Sequence, residues 1–206
     1  MGQPEQPVNR GRWTRARLLR TAVGGGAVVA GGAVMGARGD SGTSMAAPSR
    51  ATDDDILNLF LLLERVQEGF YREALRVGRL TGDLLDFAKT VVEQETEHIA
   101  FLTERLGASA RERPTLDFPL ELLEGSDRFQ DSAIELEEAT IGAYVGQGAN
   151  LTRDTMASIA TLVAVEARQA AWVRDIAGVS PAPRAADPGR KSEEVLDALR
   201  QGSFLR

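Results

Sequence analysis

The sequence predicts an all-α protein, a bundle of four helices arranged as two helical hairpins joined by a long crossover. Three observations support this fold class. Four long segments of residues 53–178 have apolar residues spaced three or four apart, which places those residues on one face of a helix. The connections between the segments are short, long and short, and a long connection can cross the length of a bundle. The segments lack the strict alternation of a half-buried strand.

The first two segments form the first predicted hairpin. Segment A runs from Asp53 to about Arg79, and its acidic start suits the free N–H groups of a helix N-terminus. Segment B begins after Thr81, which we expect to cap it, and ends at Gly107. Because the connection between the segments is short, we expect antiparallel neighbours.

The other two segments form the second predicted hairpin. Segment C runs from about Phe129 to Val145, and segment D follows Thr152 and ends at Gly178. Residues 108–128 provide the crossover, and we expect two of its apolar residues to pack on the bundle: Leu116 and Phe118.

These segments divide the chain into three parts. Residues 1–50 are a leader, residues 51–178 the bundle, and residues 179–206 a linker with one short helix for which we expect Ser192 to be the N-cap.

The leader has the composition of an export signal. Five arginines lie within residues 10–20, an uncharged stretch of small and apolar residues covers 21–37, and a Gly/Ser/Ala-rich stretch follows. The arginine segment resembles a twin-arginine (Tat) signal with Ala16 in place of the second arginine. We expect a disordered leader and export to the periplasm, cell envelope or extracellular space. A disordered basic tail or an uncleaved anchor is the alternative.

The composition excludes several kinds of chemistry. The chain has no cysteine and one histidine, which rules out disulfides, thiolate nucleophiles and polyhistidine metal sites. Residues 51–206 contain 17 basic and 28 acidic residues, so this part would repel nucleic-acid phosphates, and we predict no nucleic-acid partner. A metal site here must be built mainly from carboxylates.

Each of the four apolar stripes contains a glutamate, which is costly to bury unless it is paired, protonated or bound to a metal. The two halves of the chain also repeat each other. The pattern Leu-Glu-x4-Gly-x-Tyr begins at Leu63 and again at Leu136, and Glu-x-x-His at Glu95 corresponds to Glu-x-x-Gln at Glu166. The chain therefore contains two copies of one predicted hairpin, with a glutamine replacing the histidine in the second.

This pattern is typical of a carboxylate site for two metals. Lone glutamates from two helices combine with Glu-x-x-His pairs, whose side chains project from one helix face. Oxygen ligands with imidazole suit iron or manganese. With these motifs, residues 53–178 resemble the ferritin-like superfamily, and more narrowly its exported bacterial members of the desiccation-related type. The resemblance implies a ferritin-like bundle whose metal ligands are Glu64, Glu95, His98, Glu137, Glu166 and Gln169.

The resemblance also implies that the hydroxyls of Tyr71 and Tyr144 lie beside the ligands, with ordinary core packing as the alternative. Gln169 departs from the pattern, because an amide oxygen is a weak, neutral ligand and makes the second metal position poorer. Other glutamates near the candidates are expected to be solvated: Glu68, Glu93, Glu97 and Glu138.

The implied function is an exported protein with a carboxylate-bridged di-metal site, for iron first and manganese second. It would bind Fe(II) and oxidise it with dioxygen or peroxide, a ferroxidase-like activity. The alternative is a structural or stress-protective bundle with a degenerate, metal-free site. A third reading is an interaction module held at the cell surface by the basic leader. The predicted partners are metal ions, a homodimer stays open, and membrane contact is expected only through the leader.

Overall fold

The computed structural model describes residues 48–205. Within this part of the chain it contains five α-helices, two short 3-10 helices and no strand, so the all-α prediction is confirmed. The predicted leader and its export signal lie outside the described residues, apart from the last few positions. None of the described helices is both long and apolar enough to cross a membrane.

The helices are labelled in chain order. They are α1 Arg50–Val77, α2 Gly82–Leu106, α3 Ser126–Gly148, α4 Arg153–Ile176 and α5 Ser192–Gln201. The first four correspond to segments A to D. Helix α3 is longer at both ends than the predicted segment C, because it begins directly after a glycine with positive φ (82°) and continues through two further glycines.

Local chemistry explains where the first hairpin begins and turns. The Ser49 hydroxyl accepts the Thr52 N–H and caps α1 earlier than predicted. Gly78, with a left-handed φ of 73°, ends the helix. Thr81 occupies the predicted N-cap position of α2, but its side chain makes no capping hydrogen bond.

The crossover, residues 107–125, runs along the outside of α1. The amide of Asn58 donates to the carbonyl of Ser109 at one end, and Arg79 pairs with Glu124 at the other. Leu116 and Phe118 pack against the core between these contacts, as predicted. Because α1 and α2 are antiparallel, α2 ends beside the start of α1. The crossover then carries the chain along α1 to its C-terminal end, where α3 begins.

The C-terminal helix α5 packs on α3 and completes the core. Val195, Leu199 and Phe204 are all buried in the same cluster as the bundle residues. The prediction of Ser192 as N-cap is wrong by one residue. Lys191 is the N-cap, and its backbone N–H donates to the Glu194 carboxylate (3.0 Å). A glutamate of the first turn therefore accepts a hydrogen bond from a backbone N–H at the start of the helix.

A glycine at the same place in each repeat lets a chain segment cross the bundle closely. A Cβ at Gly69 would lie 2.8 Å from the Leu116 side chain, and one at Gly142 would lie 2.9 Å from the Arg190 side chain. In each half of the chain, a segment that follows the hairpin therefore packs directly on the repeat glycine.

Candidate metal centre

The four predicted glutamates lie at the centre of the bundle, one from each of α1 to α4. None has exposed surface: Glu64, Glu95, Glu137 and Glu166. Each stands on the face of its helix that also presents core leucines, valines or alanines, because all belong to the same apolar stripe. A carboxylate buried this deeply is unfavourable unless it is protonated, accepts hydrogen bonds or contacts a cation.

Three of these carboxylates converge on one histidine nitrogen. Nδ1 of His98 lies 3.2 Å from Glu64 Oε2 and 3.2 Å from Glu95 Oε2. It also lies 3.0 Å from Glu166 Oε1. The four residues each offer one ligand atom, and these atoms all lie within 4.8 Å of one another. We call Glu64, Glu95, His98 and Glu166 the His98 group.

The His98 group fits a divalent transition-metal ion. Metal–ligand bonds of about 2.1 Å place adjacent ligand atoms about 3 Å apart, close to the separations around His98 Nδ1. Glu166 Oε1 is buried and accepts no hydrogen bond, although it lies near the imidazole. A buried oxygen without a donor is unfavourable, and coordination to a cation would satisfy it.

Shifted pKa values indicate how the His98 group is stabilised when no metal is bound. Burial raises the pKa of Glu95 well above its usual range, and the charges of Glu166 and Glu64 raise it further. Burial also raises the pKa of Glu166 to about 7. Burial would lower the pKa of His98, but its contacts with the nearby carboxylates of Glu166, Glu64 and Glu95 raise it to about 12. A protonated Glu95 and a charged imidazolium therefore compensate the remaining carboxylates.

Glu64 behaves differently from the other three glutamates. Burial would raise its pKa, but hydrogen bonds involving Glu95, His98 and Tyr144 outweigh burial, and the pKa is lowered. The Tyr144 hydroxyl donates to Glu64 Oε1 and leaves Oε2 facing the histidine. Glu64 is thus the member of the group that stays ionised.

Two of the predicted ligands, Glu137 and Gln169, are not members of the His98 group. Both oxygens of Glu137 already accept hydrogen bonds, from the Tyr71 hydroxyl and from the amide of Gln67 (2.9 Å). Gln169 donates through Nε2 to Glu95 Oε1 (2.7 Å), while its own Oε1 is buried without a partner. The structure brings four of the six predicted residues together, and the ligand role of all six stays a prediction.

The sequence matches the family model described as Ferritin-like domain over residues 52–179. This range covers more than half of the chain, all four buried glutamates and His98. The chain belongs to the ferritin-like family. No curated protein matches it. The narrower likeness to exported, desiccation-related proteins stays a prediction.

In this ferritin-like domain, each of the two repeat tyrosines donates a hydrogen bond to a glutamate of the other hairpin. Tyr71 of the first hairpin donates to Glu137 of the second, and Tyr144 of the second donates to Glu64 of the first. Burial, together with these carboxylates, raises the pKa of both phenols, so they remain donors. The hydroxyls lie beside the glutamates as the resemblance implied.

The remaining glutamates near the centre are distributed as follows. Glu93 and Glu97 are exposed, as expected. The prediction that Glu68 is solvated is wrong, because its side chain is buried (4% exposed) and pairs with Arg72 and Arg113. The crossover brings Arg113 to it, and spacing within α1 could not have indicated this partner. Glu138 is half-buried and pairs with Arg174 of α4.

Two further polar residues stand on the apolar stripes of segments A and C, Gln67 and Thr140, and sequence reasoning gave them no role at the centre. Both have no exposed surface, and the Thr140 hydroxyl donates to Gln67 Oε1 (3.0 Å). They occupy equivalent positions of the repeat, 73 residues apart. Gln67 stands one turn after Glu64 on the apolar stripe, a position at which a buried amide signals a polar partner.

Proposed function

We propose that this ferritin-like protein binds a transition-metal ion in the bundle core through the His98 group, and that the ion is iron, with manganese as the closest alternative. The supporting observation is the convergence of four buried ligand atoms within 4.8 Å. Three carboxylates and one imidazole suit Fe(II) and Mn(II) better than softer metals. Family membership supports the same conclusion.

The associated reaction would be oxidation of Fe(II) by an external oxidant, dioxygen or peroxide. Iron supplies one-electron chemistry, in which each Fe(II) gives one electron to the oxidant and the reduced oxidant takes up protons to end as water. The protein's own residues prepare the site: Tyr144 fixes the orientation of the Glu64 carboxylate. Glu95 and His98 hold protons that must leave when a cation takes their place.

A matched pair of substitutions on α2 tests metal binding. Glu95→Gln removes a buried carboxylate of the His98 group, and Glu97→Gln removes an exposed one two residues away. We expect the first to lower affinity for Fe(II) or Mn(II) by more than about 10-fold, since even partners of ligands contribute that much. We expect the second to change nothing. Affinity would be measured anaerobically by calorimetry, with elemental analysis of the purified chains.

Equal metal content in both variants would count against the His98 group as the binding site. It would favour the alternative, a structural bundle with a metal-free centre. The raised pKa values of Glu95 and His98 favour that alternative, because protons on these groups would compensate much of the buried charge. Export remains a proposal that rests on the N-terminal sequence pattern, and fractionation of cells producing the native chain tests it.

A further inference from the structure

The amide of Gln67 lies between two of the buried carboxylates. Its Nε2 donates to Glu137 Oε2 at 2.9 Å and to Glu166 Oε2 at 3.1 Å. The Thr140 hydroxyl donates to the amide oxygen at 3.0 Å. The two carboxyl groups favour this orientation of the amide, because a flipped amide would turn its oxygen toward their oxygens, and the Thr140 hydroxyl donates to the amide oxygen on the other side.

The internal repeat shows what this position corresponds to. In the first half, Glu64 Oε2 and Glu95 Oε2 converge on Nδ1 of His98. Their repeat counterparts are Glu137 and Glu166, whose Oε2 atoms converge on Nε2 of Gln67 instead. The donor to the second carboxylate pair therefore comes from α1 and not from the residue equivalent to His98.

The residue equivalent to His98 is turned elsewhere. Gln169 donates to Glu95 Oε1 at 2.7 Å and to Gln94 Oε1 at 3.0 Å. Glu137, with one oxygen bonded to Tyr71 and the other to Gln67, has no oxygen left without a donor. A second cation between Glu137 and Glu166 would have to displace the Gln67 amide, which would break its hydrogen bonds to both carboxyl groups and to Thr140.

We propose that the centre of this protein holds one metal ion, in the His98 group, and that Gln67 fills the position of the second. This inference rests on the proposed metal binding and differs from the two-metal site that the family resemblance implies. The neutral amide satisfies the carboxylates by donating hydrogen bonds where the paired site would use a cation.

The test counts Mn(II) ions bound per chain under anaerobic conditions, by equilibrium dialysis with elemental analysis. We expect one ion in the wild-type protein and two in Gln67→Ala, which removes the amide from between Glu137 and Glu166. Gln94→Ala is the matched control, since Gln94 is also a glutamine bonded at the edge of the centre but touches neither carboxylate. We expect that variant to bind one ion.

Electron paramagnetic resonance provides a second measurement that needs no variant. A single Mn(II) ion gives the hyperfine pattern of an isolated ion, whereas two ions bridged by a carboxylate give an exchange-coupled signal. We expect the isolated pattern for wild type and the coupled signal for folded Gln67→Ala. Two coupled ions in wild type would overturn the inference and leave metal binding intact. No bound ion in wild type would overturn metal binding itself, and one ion in folded Gln67→Ala would overturn the role given to Gln67.

Discussion

Single polar residues connect distant parts of this protein through buried hydrogen bonds. Asp53, in the first turn of α1, is 4% exposed and accepts three bonds from the start of α4. Its donors are the Thr152 backbone N–H (2.8 Å), the Thr152 hydroxyl (2.5 Å) and the Thr155 hydroxyl (2.6 Å). The same carboxylate also lies at the positive end of the α1 dipole. One side chain at the start of α1 thus satisfies three donors at the start of α4.

The acid sensitivity of Asp53 gives a prediction. Burial would raise its pKa, but the hydrogen bonds from Thr152 and Thr155 outweigh burial and lower it. A carboxylate whose pKa falls on folding stabilises the protein above its unfolded pKa, about 3.9, and loses that contribution as pH falls through the lower folded pKa. We expect Asp53→Asn to reduce the free energy of unfolding by about 1–3 kcal/mol at neutral pH.

Urea unfolding of wild type and Asp53→Asn at neutral pH and in acid checks this expectation. The difference between them should shrink as pH falls below about 4. Asp83→Asn is the control, because Asp83 is an exposed aspartate in the first turn of α2, and we expect a change within about 0.5 kcal/mol. A difference for Asp53→Asn that is the same at every pH would show that the charge of Asp53 is unimportant.

At the scale of elements, each hairpin is followed by a segment that crosses the helix carrying the repeat glycine. The crossover passes over Gly69 of α1, and the segment before α5 passes over α3, where the Arg190 N–H donates to the Gly142 carbonyl at 2.7 Å. A second glycine, Gly146, stands one turn later and faces the Arg190 backbone. Helix α5 and its apolar residues are placed on the bundle by this close approach.

The two glycines near the end of α3 allow a matched test of that approach. A Cβ at Gly146 would overlap the Arg190 carbonyl oxygen and lie 2.6 Å from its nitrogen, whereas a Cβ at Gly148 meets nothing within 4 Å. We expect Gly146→Ala to cost about 1–3 kcal/mol, since backbone must shift. Gly148→Ala should be neutral or stabilising by up to about 1 kcal/mol, because alanine favours the helix.

Thermal and urea unfolding of the two alanine variants would measure these changes, and hydrogen exchange would locate them. Protection should fall in α5 for Gly146→Ala and stay unchanged for Gly148→Ala. If both variants melt like wild type, the segment before α5 does not pack on α3 as closely as the structure has it.

At the scale of the whole molecule, regular spacing made much of the fold and centre predictable. The glutamates at 64, 95, 137 and 166 stand at helical intervals from core residues, so each helix placed its own carboxylate correctly. The orientation of the Gln67 amide could not be predicted, because its hydrogen-bond partners Glu137, Glu166 and Thr140 all come from other helices. The packing of α5 could not be predicted for a similar reason. The glycines of α3 that allow the segment before α5 to approach the bundle lie more than 40 residues earlier in the chain.

Metal binding should stabilise the whole bundle and not only the centre. The His98 group takes its ligands from α1, α2 and α4, so one ion would add a bond to each of three helices that already contact one another through packing and buried hydrogen bonds. An ion that binds only the folded protein stabilises it by about 2.7 kcal/mol at 100-fold excess over its dissociation constant. For a domain of this size, we expect a rise in Tm of about 5–10 °C.

This prediction is checked by thermal melts of the full chain with increasing Mn(II) in the absence of oxygen. Calcium is the control cation, because it takes oxygen ligands at longer distances and has little affinity for imidazole; it should leave Tm nearly unchanged. Glu95→Gln should lose most of the Mn(II) effect, whereas Glu97→Gln should keep it. Equal stabilisation by both cations would contradict binding at the His98 group, because that group should prefer Mn(II). It would indicate that the cations screen the acidic surface instead.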